Sequence, residues 1–201
     1  MTPLPESLLE AVASAAVREG LADALYTRLD TPVGRLVVVQ GAGGILRIGF
    51  PEEPEDALLA GVAAHAGPRL VASDRELAST RDALEAYFAG EGDPHGLPVD
   101  LALVAAPFRR EVLETLHRDV GHGAVVTYAA LAQSAGRPLA YRAAATACAR
   151  NPVPIVVPCH RVLPSGGGVG AYGGGTARKI ALLELEGVLP APTAPRPRRT
   201  A

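Results

Sequence analysis

The residues best placed to do chemistry lie in one stretch, Pro152-Val-Pro-Ile-Val-Val-Pro-Cys-His-Arg-Val162. Cys159 has Pro158 on one side and His160 and Arg161 on the other. A histidine and a cation beside a thiol lower its pKa, and the thiolate is the nucleophilic form. Most free cysteines are buried, inert small hydrophobes, but this setting points to a nucleophile. Cys148, among alanines, reads as the inert kind. Two cysteines at that separation with one adjacent histidine lack the ligand spacing of a structural zinc site, so no metal is expected. Pro152, Pro154 and Pro158 forbid a regular helix and discourage a central strand, so the stretch is expected to be extended and rigid.

The elements that must hold this stretch are legible on both sides. Upstream, Phe108, Val112, Leu113, Leu116 and Val120 form one helical stripe, entered through Pro107. Thr127 is placed to cap a short helix from Tyr128 that stops at Gly136, and a second helix is expected from Leu139 to Arg150, ended by Asn151-Pro152. Short helix, glycine-containing turn and helix make a helix-turn-helix pattern. Downstream, residues 165–175 hold seven glycines, which allow either close backbone approach or loop freedom. A last helix is expected over Thr176–Glu186, before Gly187.

The first half reads differently. Ser7 is placed to cap a helix running to Arg18. From Leu25, alternating apolar residues broken at Pro32-Val33-Gly34 and Gly41–Gly44 predict a strand meander. Helical periodicity returns over 55–65 and over 74–89, the latter starting at Ser73. The fold class is therefore α+β: a small antiparallel sheet with helices in an N-terminal domain, then a mainly helical C-terminal domain containing the helix-turn-helix. The expected division is a helical extension over 1–22, an α+β domain over 23–97, a helical domain over 98–188, and a disordered Pro/Arg tail over 189–201.

The 201 residues, 48% hydrophobic and 20% charged, exclude disordered and fibrous classes and can bury a substantial core. Two cysteines cannot build a disulfide framework, and the start lacks a secretory signal, so a reducing cytoplasm is expected. No apolar run approaches a membrane span, so no membrane partner is expected. The net charge of −2 conceals an asymmetry, since residues 1–100 carry −9 and residues 101–201 carry +7. A basic half suggests an anionic partner such as nucleic acid. Without the three tail arginines, the segment 101–195 still carries +4.

Asn151 to Val162, with Arg142-Ala143 and Tyr128 to Ala132 before it, resembles the active-site block of the O6-alkylguanine-DNA alkyltransferase family. The resemblance continues through Val169-Gly-Ala-Tyr-Gly-Gly174, Lys179 and Leu182 to Gly187. It also reaches upstream to Thr31-Pro-Val-Gly-Arg-Leu36 and Leu84-Glu-Ala-Tyr-Phe-Ala-Gly90. It implies direct reversal of DNA damage: Cys159 attacks the alkyl carbon on guanine O6, or on thymine O4, and keeps the group irreversibly, without a cofactor. It implies that His160 takes the thiol proton through a bridging water, that Glu186 orients His160, that Tyr128 donates to the departing purine, and that Asn151 braces the turn. The backbone at Cys159 and Val162 would accept from the guanine amino group, Tyr172 and Gly173 would line the pocket, and Lys179 would stand near it.

The resemblance further implies that the base is flipped out of double-stranded DNA approached through the minor groove by a monomer. Arg142 would fill the gap in the stack, while Ala140, Ala143 and Ala145 keep the contacting face small. Departures from the family pattern are Tyr141 where a small residue is usual, Gly173 where serine occurs, Leu113 where tryptophan is frequent, and the turn Val120-Gly-His-Gly123. The other classes weighed are a non-repairing alkylguanine binder, which would lack the cysteine; a self-alkylating regulator, which would add a metal-binding cysteine domain; and a Cys-His hydrolase, for which no oxyanion-hole motif is present.

Overall fold

The structure, a computed structural model, describes residues 5–190; the tail expected to be disordered lies, from residue 191, outside them. Helix α1 spans Glu6–Arg18. It starts behind Pro5, so Ser7 falls inside its first turn and does not cap it. The helix is tied to the body by Glu10, which accepts from Ser73 Oγ at 2.7 Å, and by Ser14, which donates to Glu76 at 2.6 Å.

Strands β1 (Ala24–Thr31), β2 (Gly34–Gly41) and β3 (Gly44–Gly49) form the expected antiparallel meander. A short strand β4 (Leu70–Ala72), not expected from the sequence, adds to β1 in parallel, giving the order β3-β2-β1-β4 and a mixed sheet. Helix α2 spans Glu55–Ala66. Helix α3 spans Ala78–Phe88, later than Ser73, because β4 and the turn after it occupy the intervening residues and Ser73 Oγ accepts from Glu76 N within that turn.

The run Leu36-Val-Val-Val39 is continuously apolar because β2 is covered on both faces, as central strands are. Val37 and Val39 pack under α2 with Leu58 and Val62. Leu36 and Val38 join a larger core that holds Leu84 and Tyr87 of α3 together with Leu113, Leu116, Val157 and Leu182 from the second half of the chain. One apolar core therefore runs across the boundary between the two halves.

Helices α4 (Pro107–Asp119), α5 (Tyr128–Ser134), α6 (Tyr141–Ala149) and α7 (Thr176–Leu185) make up the helical half. Thr127 caps α5, its Oγ1 accepting from Ala130 N at 3.1 Å. Gly136, at φ +75°, supplies the left-handed residue that turns the chain toward α6. The α6 helix begins at Tyr141, and Leu139 before it is 94% exposed. A two-residue parallel pair, β5 (Val126–Thr127) with β6 (Val162–Leu163), ties the front of α5 to the residues following Cys159.

The proline-rich stretch is not extended. Val157 N donates to Val153 O at 2.9 Å, closing a turn around Ile155, whose φ is +77°. Cys159 N then donates to Val157 O at 2.8 Å across Pro158 (φ −83°, ψ 61°), an inverse γ-turn. Prolines forbid helix and ladder but accommodate turns, and tight turns are what set the direction of Cys159. From the sheet, Ile48 N of β3 donates to Pro152 O at 2.9 Å and pins the stretch at its start.

Candidate active site

Cys159 opens a single 3-10 turn, Cys159–Arg161, and is 3% exposed. Asn151, just beyond α6, holds the preceding turn: its Nδ2 donates to Val157 O at 2.8 Å, and its Oδ1 accepts from Val153 N at 3.0 Å. The same Nδ2 lies 3.1 Å from Cys159 Sγ. Burial pushes the Cys159 thiol up from its ordinary value, while the Asn151 amide and then the Lys179 charge favour the thiolate. The sequence-based expectation of a thiol lowered by its neighbours is thus corrected. Burial outweighs the cation, and the cation concerned is not Arg161, whose guanidinium turns away to Glu186 and to Val120 O. A base must therefore remove the proton.

His160 is fully buried, and its Nε2 lies 2.8 Å from Glu186 Oε1. Glu186 ends α7, where the helix dipole disfavours a carboxylate. Five donors from four residues compensate: His160 Nε2 at 2.8 Å, Arg161 Nε and Nη2 at 2.8 and 2.9 Å, Tyr87 Oη at 2.8 Å, and Gly123 N at 3.4 Å. Burial alone would raise the Glu186 carboxyl; the hydrogen bonds from His160 and Arg161 reverse this and hold it far below the usual carboxylate range. An ionised Glu186 requires the proton on His160 Nε2. Nδ1, buried and without a hydrogen-bond partner among the described residues, is then the acceptor. Burial lowers the His160 pKa, opposed by Glu186, so the ring rests neutral and is able to accept a proton.

Two clefts reach Cys159. One, of about 510 Å³, is lined by Tyr128, Ala145, Thr146, Cys148, Tyr172 and Gly173 among others. The second, of about 500 Å³, opens toward the N-terminal half and adds Arg47, Phe50, Glu53, Arg150 and Asn151. Burial, followed by the thiol groups of Cys148 and Cys159, pushes Tyr128 up to about 12, which keeps its phenol protonated as a donor. The Tyr172 hydroxyl is buried, and its ring meets Phe50 edge-on at 6.1 Å. Gly174 lies so close to the same phenylalanine that a Cβ there would sit 2.6 Å from the ring.

Of the residues singled out in the sequence, Cys159, His160, Glu186, Asn151, Tyr128, Tyr172 and Gly173 converge on this centre. Val162 and Lys179 line neither cleft. Lys179 is fully buried and donates to Val162 O at 2.7 Å, bracing the strand behind the pocket. Ala145 lines the first cleft, whereas Tyr141, Arg142 and Ala143 are exposed on α6 and Ala140 is half-buried before it. The Arg142 guanidinium rests over the Tyr141 ring at 5.7 Å. Two members of the centre were missed by sequence reasoning: Tyr87, which entered only within the segment Leu84–Gly90, and Arg161 in its role of neutralising Glu186. Tyr87 and Glu186 are 99 positions apart, beyond any local signal.

The chain thus joins a buried cluster of Cys159, His160 and Glu186 to a helix-turn-helix formed by α5 and α6, an element that binds DNA in many proteins. Residues 24–101 match the 6-O-methylguanine DNA methyltransferase ribonuclease-like domain, and residues 107–188 match the DNA binding domain of the same description. The methylated-DNA–protein-cysteine methyltransferase of Cricetulus griseus is 35% identical over 178 residues, covering 81% of this chain and 82% of that protein. The Mycobacterium leprae protein of the same name is 42% identical over 103 residues, which span 51% of this chain and 61% of that protein. The crystal structure of Mycobacterium tuberculosis OGT in complex with DNA superposes with a TM-score of 0.67 at 32% identity, covering 82% of this chain and 93% of that one. The chain belongs to the 6-O-methylguanine DNA methyltransferase family, and its enzyme class is that of its relatives, methylated-DNA–protein-cysteine methyltransferase.

Proposed function

We propose that the protein repairs O6-alkylguanine, or O4-alkylthymine, in double-stranded DNA by a single irreversible transfer of the alkyl group to Cys159. The observation that carries this reading is the arrangement of one thiol, one neutral buried imidazole and one pinned carboxylate at the end of a cleft with a protonated phenol on its wall. His160 Nδ1 takes the thiol proton through a bridging water. The sulfur then forms a bond to the alkyl carbon as the carbon–O6 bond breaks, and the electron pair of that bond stays on guanine. Tyr128 protonates the purine ring and is reprotonated from the imidazolium side, so the products are guanine and a Cys159 thioether. No group in the centre can cleave the thioether, so each molecule acts once.

A thiol that is 3% exposed cannot meet a base stacked in a duplex, so the target nucleotide must be flipped out. Arg142, exposed at the front of α6, is assigned to fill the gap in the stack. Ala140, Ala143 and Ala145 keep the approach to the minor groove close, and Tyr141 adds an aromatic surface beside Arg142. Val162 and Lys179 shape the pocket from behind. The active form is a monomer with residues 98–188 as its alkyl-accepting domain. Among the described residues no helix is long and apolar enough to cross a membrane, and a reactive free thiol suits a reducing cytoplasm. The test is stoichiometry: with damaged duplex in excess, guanine formed should equal protein added and then stop, and Cys159→Ala should form none. Continued turnover would exclude the reading.

A further inference from the structure

We infer that Tyr87, carried by α3 of the N-terminal half, is a positioning residue for alkyl transfer: its hydroxyl fixes Glu186 Oε1, and through it the orientation of the His160 ring. The inference rests on the proposed Cys159 reaction and adds that the centre is completed by the other half of the chain.

Glu186 Oε1 accepts from three donors, Tyr87 Oη, His160 Nε2 and Arg161 Nη2, all at 2.8–2.9 Å. Arg161 alone would hold the carboxylate in place but would leave it free to tilt about the two guanidinium bonds. The Tyr87 bond is to the same oxygen that faces His160, so it sets where His160 Nε2 must point and hence where Nδ1 looks. Tyr87 is itself 0% exposed, with its ring edge-on to Phe88 at 5.1 Å and to His122 at 6.3 Å. The hydroxyl is therefore held by a packed ring. Burial keeps the phenol protonated, so it donates throughout the working pH range. Asp93, also from the N-terminal half, stands 3.6 Å from Arg161 and supports it from behind. The other charged groups facing His160 are Arg161 and Lys179.

A role limited to filling space predicts that Tyr87→Phe, which keeps the ring, behaves as the parent. A positioning role predicts two changes. Transfer from an O6-methylguanine duplex under single-turnover conditions slows by about three- to tenfold, because one of the bonds that aligns the base is gone. The acid limb of the rate profile also moves to higher pH, because a carboxylate with one donor fewer binds the imidazolium more strongly. Fluorinated tyrosine at position 87 keeps the shape and donates more strongly, so it should move the acid limb to lower pH.

All three proteins are compared as full-length chains, with duplex affinity and thermal midpoint recorded. Opposite displacements of the acid limb in the two variants support the inference even if Tyr87→Phe loses stability. A parent that alkylates Cys159, with both variants matching its rate and pH profile, overturns this inference alone. A parent that never alkylates Cys159 overturns the underlying reaction as well.

Discussion

The side-chain amide of Asn151 stands 3.1 Å from Cys159 Sγ while donating to Val157 O at 2.8 Å. One nitrogen thus braces the backbone turn that aims the nucleophile and offers a donor to the thiolate. Asn151→Ala should cost about 2 kcal/mol of stability through the unpaired buried groups it leaves and should slow transfer by more than about tenfold. Urea unfolding and single-turnover transfer read the two effects separately.

The Glu186 centre makes stability depend on acid. His160 in this centre, and His117, whose Nδ1 lies 3.2 Å from Val156 O, are held below the ordinary imidazole value of 6.5, first by burial, and Glu186 is held below the ordinary 4.5 by its donors. In each case the unfolded chain binds more protons across the window, so stability rises with pH there. Acidification should therefore lower the urea midpoint first below 6.5, as the histidines protonate on unfolding, and again below 4.5 from Glu186. Glu186→Gln should be less stable near neutrality, by about 3–5 kcal/mol, and should show a flatter slope below 4.5. A midpoint independent of pH down to about 4 would contradict the assignment.

Arg142 is exposed on α6, away from the thiol, and so should matter to DNA and not to chemistry. Arg142→Ala should slow transfer from duplex DNA by about a hundredfold or more, the cost of leaving an extruded base unreplaced. Its reaction with a free O6-alkylguanine base should remain within about twofold of the parent. Equal losses on both substrates would place Arg142 in a structural role.

Phe50 and Gly174 make a close contact between the loop after Tyr172 and the N-terminal half. Gly174→Ala would put a Cβ 2.6 Å from the Phe50 ring and should destabilise by about 1–3 kcal/mol, the usual cost of overpacking. Adding Phe50→Leu should recover part of that loss. Additive effects in the double variant would mean that the two residues do not share this contact.

Much of this molecule can be read from the sequence because its signals are local. Pro107 opening α4, Thr127 capping α5 and Gly136 ending it each act within a few residues, and the structure places them as expected. What was not legible depends on distant partners. Strand β4 is three residues long and exists because β1 offers it an edge. Arg161 reads as the cation beside the thiol until Glu186, far along the chain, is seen to claim it. The three prolines before Cys159 exclude helix and ladder, but they do not say that Asn151 will hold the chain in turns. Tyr87 looks like any core aromatic until its hydroxyl is traced across the domain boundary.

The central claim is that Cys159 itself becomes the alkyl carrier. Intact mass and peptide mapping after incubation with an O6-methylguanine duplex test it most directly. The expected result is one hydrogen replaced by one methyl group per molecule, confined to the peptide bearing Cys159 and absent from the peptide bearing Cys148. No mass gain at any excess of duplex, or a methyl group found on Cys148, would contradict it.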